Sequence, residues 1–261
     1  MVNPMKSHKS NFQHPIIPGL ESFMAKPTQP ESPISLDSTA FKASPTNPTF
    51  QPVKQRSHAY AWVTWLAELM AHEKQCKYAV FFRSQYQIKR PPSNYEPSEH
   101  DRLVLDRAKQ LKAEGFTVYL EYANYFKVHG QIYDICVAGR PDIVAEKNGW
   151  VVVEDIKTGR NKLSHQMQVL LYMLLLPISP DTKHRFRGQL PHGRLVYPDK
   201  IVEIPKIKIN RAFKQSLRDI IGQIAPPKFV QPTPSHWECR YCKVPHGYCP
   251  AMMTSDDNFV A

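Results

Sequence analysis

The sequence lacks any apolar stretch long enough to cross a bilayer. The longest, residues 169–178, is broken by Pro177, against the roughly 20 residues that a span requires. The first ten residues, MVNPMKSHKS, contain no apolar signal core, so secretion is not expected and a cytoplasmic location is. Disulfides are improbable in that compartment, which leaves the five cysteines to another role or to none. Internal repeats are missing, as are a recognition helix, a zinc-finger array and a helicase motif. A sequence-reading module and a self-contained motor are thereby excluded. Acidic residues are scarce as well: 23 Asp and Glu face 34 Lys and Arg, for a formal net charge of +11. Such a balance favours a polyanionic partner, nucleic acid or an anionic membrane surface, without choosing between them.

What is present is ample for a core: 261 residues, 42% of them apolar, enough for one generous domain or two small ones. Residues 1–55 are rich in Pro, Ser, Thr, Asn and Gln and show no sustained apolar period, which reads as a disordered arm. One domain is expected over 56–252, with a helical lobe (56–95), a central core (96–225) and a Cys-rich segment (226–252), followed by a tail at 253–261. Trp62, Trp65, Leu66, Leu69 and Met70 recur at helical spacing. A second amphipathic helix is expected over 97–114, ending at Gly115, a C-terminal cap. Strands are expected at 116–122, 125–128, 131–137, 142–146 and 150–157, then a helix over 164–176 capped by Ser164. Strands at 193–196 and 201–204 and a helix over 211–224 complete the pattern. Helix, mostly antiparallel sheet and helix make an α/β or α+β domain.

The segment DIVAEKNGWVVVEDIK permits a geometric statement. Asn148-Gly149 is a strong two-residue hairpin signal, because both positions must tolerate positive φ. With those two residues as the loop, Lys147 pairs with Trp150 and, counting outward, Asp142 pairs with Asp155. The two carboxylates then share a face, their Cα atoms about 4.5–5.5 Å apart. Lys157, two residues on, shares it too. Opposed carboxylates repel, and a hard divalent cation such as Mg²⁺ or Mn²⁺ between them removes the repulsion. A lysine beside such a cation can hold an attacking water. These are the parts of phosphodiester hydrolysis.

Three segments in order, Gly139-Arg140-Pro141-Asp142, Glu154-Asp155-Ile156-Lys157 and His165-x-x-Gln168-x-x-x-Tyr172, resemble the PD-(D/E)XK nucleases of the RecB type. The CRISPR-adaptation-type and related phage or bacterial exonucleases are the most similar branch. The resemblance spans roughly 62–249 and implies a restriction-endonuclease-like core: a mixed sheet flanked by helices. It implies that Asp142 and Asp155 are ligands of Mg²⁺ or Mn²⁺, with the Ile156 backbone carbonyl and His100 as further ligands. Lys157 would position the water, and Gln168 and Tyr172 would orient the lysine and the DNA backbone. On a helix, His165, Gln168 and Tyr172 fall on one face. Glu121 is a further acidic candidate or an ordinary strand residue.

Cys239-x2-Cys242-x6-Cys249 is compact enough for metal binding. The resemblance implies that Cys76 joins these three around a 4Fe-4S cluster. Spacing alone allows Zn²⁺, with Cys76, His236 or His246 as fourth ligand, or free thiols. Cys136 reads as core.

A basic stretch after the 164–176 helix, including Arg185, Arg187 and Arg194, could track DNA phosphates without reading sequence. Tyr86, Arg90 and Tyr95 could stack on unpaired bases. The expected function is metal-dependent DNA cleavage, exonucleolytic, at single strands or free ends, with a helicase or recombination partner supplying any motor. The alternative is a catalytically idle nucleic-acid-binding scaffold.

Overall fold

The computed structural model describes residues 53–88, 98–186 and 188–253. The expected arm up to residue 52, Arg90, Tyr95, Arg187 and the last eight residues lie outside this set.

The chain enters through strand β1 (Lys54–Gln55) and strand β2 (Ala59–Trp62), followed directly by helix α1 (Val63–Met70) and helix α2 (Lys77–Gln85). Trp62, expected within the first helix, is the last residue of β2 and stands at the helix N-cap in an extended conformation. Its neighbours Ala59 and Ala61 are buried in alternation, the two-residue period of a strand. A short strand β3 (Tyr86–Gln87) pairs with β1.

Helix α3 (Ser98–Ala113) stops where the glycine predicts. Gly115 has φ +86°. Its N–H donates to the Lys112 carbonyl and the Phe116 N–H donates to the Leu111 carbonyl, each at 3.0 Å, which closes the helix end. Strands β4 (Thr117–Leu120), β5 (Phe126–His129), β6 (Ile135–Gly139), β7 (Ile143–Lys147) and β8 (Trp150–Ile156) follow. β4 ends two residues earlier than its composition suggests, because Glu121 takes φ +29° and opens a 3-10 turn over Glu121–Asn124. Helix α4 (Leu163–Leu175), strands β9 (His192–Val196) and β10 (Ile201–Ile204), helix α5 (Arg211–Ile224) and two short C-terminal helices, α6 (His236–Arg240) and α7 (Pro250–Met253), complete the order.

The central sheet runs β10-β9-β8-β7-β4, and a second sheet runs β2-β6-β5. β8 pairs with β9 in parallel, as β2 does with β6; the remaining ladders are antiparallel. The sheets are mixed, flanked by helices. The parallel pairs were invisible as such, since pairing direction is decided by the connections. Thus β8 reaches β9 through α4, a crossover of the βαβ kind.

α4 is almost wholly buried from Gln168 onward and lies over the main core with α1 and α5. Its close seat on β9 requires Gly193: any Cβ there would collide with the Met173 sulfur and with Val169. α3 packs on the opposite side of the central sheet through Val104, Ala108 and Leu111 against Ile143, Ala145 and Val152. A third, smaller core joins α2 to the C-terminal segment through Tyr78, Phe82, Val230, Val244 and Cys249. No helix among the described residues is long and apolar enough to cross a membrane.

Candidate active site

The site grows from the β7–β8 hairpin. Asn148 and Gly149 have φ +51° and +79°, the paired positive values of a type I′ turn. Lys147 is opposite Trp150, and the register continues to Ile143 opposite Glu154. The next positions outward are Asp142 and Asp155. Here the ladder gives way to side chains: the Ile156 N–H donates to Asp142 Oδ2 at 2.7 Å. The Asp142 carbonyl in turn accepts the Glu121 N–H at 3.0 Å. Within a strand the N–H and C=O of one residue leave on the same flank, so the Ile156 carbonyl is turned towards Asp142.

Asp155 is 2% exposed. Its Oδ1 accepts a hydrogen bond from Gln168 Nε2 at 3.3 Å. Its Oδ2 lies 2.5 Å from Lys157 Nζ as a buried ion pair. Burial pushes the Asp155 carboxyl above the usual carboxylate range; Lys157 opposes this and Asp142 adds to it. Lys157 stays charged although burial works against it, because the charge of Asp155 more than compensates. Lys157 Nζ also donates to Gln168 Oε1 at 3.2 Å. Gln168 Nε2 donates to the Tyr172 hydroxyl at 2.9 Å, which is also hydrogen-bonded to the backbone of Arg140. A continuous polar row therefore runs Asp155–Lys157–Gln168–Tyr172 and returns to the segment that carries Asp142. Gly139 lets it close, since a Cβ there would stand 2.7 Å from both the Tyr172 and Phe126 rings.

His100, in the first turn of α3, places Nε2 3.4 Å from Asp142 Oδ2. The contact with Asp142 lifts the imidazole to a pKa of about 9 against the opposing effect of burial. The positive charges facing the two carboxylates are thus those of His100 and Lys157. A cation arriving at Asp142 and Asp155 would take over that role and release the His100 nitrogen as a neutral ligand. Among the described residues no three His, Cys, Asp or Glu side chains are already drawn together around one point. The donor types nevertheless suit a hard divalent cation: carboxylate oxygens, a backbone carbonyl and one imidazole.

What holds α3 over the hairpin was not legible. Arg107, two turns after His100, donates from Nε and Nη2 to the two carboxylate oxygens of Glu154, each at 2.7 Å. Glu154 is fully buried and also accepts from Arg194 Nη1 at 3.2 Å. The only sequence signal was the spacing of Arg107 from His100, which falls on the same helix face. Tyr197, unnoticed in the sequence, bonds His165 Nδ1 and Asn161 Oδ1, each at 3.0 Å, beside Lys157. Burial, with Lys157 and Lys162 nearby, depresses His165 to a pKa of about 4, so it is neutral.

The start of α4 also differs from expectation. Ser164 lies inside the helix and makes no N-cap; Lys162 holds that position without a side-chain bond. The Ser164 N–H and hydroxyl both donate to the Glu73 carboxylate, at 2.9 and 2.7 Å. The exposed helix donors are satisfied by a remote acid, which no local pattern reveals.

Of the arginines expected on a phosphate-tracking surface, Arg194 is held by Glu154 and by Glu203, the latter at 2.6 Å. Its guanidinium therefore serves the sheet's own carboxylates. Arg185 lies over the Tyr119 ring, 4.2 Å from its centroid, and donates to Asn124 Oδ1 at 3.3 Å.

Cys76, Cys239, Cys242 and Cys249 line one cavity of about 340 Å³, although 163 residues separate the first two in sequence numbering. Glu238 accounts for the meeting: its carboxylate accepts the N–H groups of Gln75 and Cys76 at 2.8 and 3.1 Å. Tyr78 adds a hydroxyl bond to the Tyr248 carbonyl at 2.5 Å. None of the five cysteines is in a disulfide, and Cys136 is buried in β6, apart from the others.

The crystal structure of SSO0001 is similar over 77% of this chain and 90% of its own, at 23% sequence identity and a TM-score of 0.41. No curated protein matches the chain. The family model of the PD-(D/E)XK nuclease superfamily matches residues 51–250, a span that takes in the hairpin, the polar row and the cysteine segment. The chain belongs to the PD-(D/E)XK nuclease superfamily.

Proposed function

We propose that the chain is a Mg²⁺- or Mn²⁺-dependent deoxyribonuclease of the RecB type, acting exonucleolytically on single strands or free ends. The observation that carries this reading is the hairpin register. It brings Asp142 and Asp155 to opposed positions beside Lys157 and beneath His100.

His100, Asp142, Asp155 and the Ile156 carbonyl would hold the metal. Bound there, it would supply Lewis-acid stabilisation of the phosphate charge and lower the pKa of water. The chain's own residues do the remainder. Lys157 holds the water near the phosphorus and donates a charged hydrogen bond to the phosphate. Gln168 fixes the lysine through its amide oxygen, and Tyr172 fixes Gln168. His165, neutral and tied to Tyr197, adds no competing charge to Lys157. A helicase or recombination partner would supply any unwinding.

We further propose that Cys76, Cys239, Cys242 and Cys249, which line one cavity, would hold a structural 4Fe-4S cluster, with Zn²⁺ as the alternative. The thiols would have to draw closer on binding. Iron, sulfide and zinc analysis of anaerobically purified protein separates the cases: colourless protein with stoichiometric zinc refutes the cluster.

Activity is tested with end-labelled single- and double-stranded DNA in Mn²⁺, Mg²⁺ or EDTA. Cleavage should require the metal and fall by about 10²–10³-fold or more in Asp155→Ala and Lys157→Ala. Cleavage that survives either substitution refutes the assigned centre.

A further inference from the structure

The 3-10 turn between β4 and β5 presents a feature that the cleavage chemistry does not use. Tyr122 is 81% exposed, unusual for a tyrosine on a structured turn. Arg140 lies across its ring, 4.7 Å from the centroid. A second pair, Arg185 over Tyr119 of β4, stands beside the turn.

This turn is built into the site. Asn124, fully buried, donates from Nδ2 to the Tyr119 carbonyl at 2.8 Å and to the Pro141 carbonyl at 3.3 Å. It also accepts from Arg185. The Glu121 N–H holds the Asp142 carbonyl, and the Glu121 carboxylate lies 3.9 Å from Arg140. One polar knot thus fixes the turn, both arginines and the backbone entering Asp142. Arg140 and Asp142 are two residues apart, so their Cα atoms are separated by at most about 7 Å. That is about the length of one nucleotide.

We infer that Tyr122 and Arg140 form a stacking ledge for an unpaired base of single-stranded DNA, next to the phosphate held at Asp142 and Asp155. An exposed aromatic face stacks on any base, and an adjacent guanidinium supplies charge to the backbone and cation–π contact. Duplex DNA keeps its bases stacked on one another and offers the ledge only phosphate. The ledge therefore selects frayed or single-stranded ends without reading sequence. This inference rests on the proposed nuclease reading for the position of the phosphate.

The test separates the two. Binding of fluorescent oligothymidine and of a blunt hairpin duplex is measured by anisotropy with EDTA present, so that no cleavage is needed. Cleavage of both is measured with Mn²⁺. Tyr122→Ala should weaken single-strand affinity by about 5- to 100-fold, with duplex affinity changed by less than about twofold. Tyr122→Phe, which keeps the ring, should restore binding. Arg140→Gln should weaken single-strand binding and leave less salt dependence in what remains. Undiminished single-strand binding by Tyr122→Ala overturns the ledge, as does an equal loss on duplex. Failure of the nuclease reading would show differently, as absence of Mn²⁺-dependent cleavage in the unaltered protein, and the binding comparison would still decide for or against the ledge.

Discussion

Arg107 and Glu154 meet through two 2.7 Å hydrogen bonds on the far side of β8 from Asp155. Adjacent strand residues point to opposite faces, so Asp155 enters the site while Glu154 anchors the helix that carries His100. Removing one member of a buried pair strands the other's charge, at a cost of about 3–5 kcal/mol. Arg194 remains within reach of Glu154, which places Arg107→Met at the low end, about 3 kcal/mol. A paired change, Arg107→Met with Glu154→Leu, should recover most of that loss, because the uncompensated charge goes as well. Denaturant titrations of the two variants check this. A double variant no more stable than the single one would show that the pair acts by shape rather than charge.

The Glu73 contact with α4 predicts a smaller effect. Its carboxylate takes two donors at a helix N-terminus, where negative charge is favoured. Burial raises its pKa, but the Ser164 bonds, with Lys162 and His165, outweigh burial and hold it below the usual range. Glu73→Ala should cost about 1–2 kcal/mol, and Glu73→Gln about half as much. Because α4 carries Gln168 and Tyr172, cleavage should fall with stability even though Glu73 touches neither. Wild-type stability in Glu73→Ala, read by thermal unfolding, would rule out the cap.

His165 predicts a pH dependence. Its folded pKa, about 4, lies below the unfolded value of 6.5. Between those values the unfolded chain binds a proton that the folded chain refuses. The contribution is therefore complete above about pH 6.5 and lost progressively as pH falls towards 4. His165→Gln removes the titration and can keep a bond to Tyr197. Its stability should gain on the wild type on acidification through that window and run parallel to it above. Parallel curves throughout would mean that His165 titrates normally.

The sequence made the hairpin legible because two local rules coincide there. Positive φ at Asn148 and Gly149 sets the loop, and the two-residue period carries the register outward to Asp142 and Asp155. The helix over Arg211–Ile224 was legible from its pattern alone; its cap, Asn210, which accepts the Phe213 N–H at 3.0 Å, was not singled out. What escaped were partnerships across long separations. Glu154 looks like any acid beside the DIK pattern until Arg107 lies against it, and Glu73 is an ordinary loop acid until Ser164 is folded beneath it. Trp62 failed for another reason: an aromatic at helical spacing from Trp65 and Leu66 also suits a strand, and the parallel partner Ala138 decided between them.

Glu238 yields the last prediction. It stands on α6, one residue before Cys239, and accepts the N–H groups of Gln75 and Cys76, the residues that open α2. The link clamps both halves of the cysteine cavity across a long stretch of chain. The contact is partly exposed, so Glu238→Ala should cost no more than about 1–2 kcal/mol of global stability. Its local effect should be larger, since the short C-terminal helices rest on the small third core. Limited proteolysis should cut the segment after Ala225 faster in Glu238→Ala, while the β7–β8 hairpin keeps its hydrogen-exchange protection. Glu238→Gln, with one amide oxygen still able to accept, should fall between. Equal cutting rates in all three proteins would assign the docking of the tail to Tyr78, Phe82 and Val230 alone.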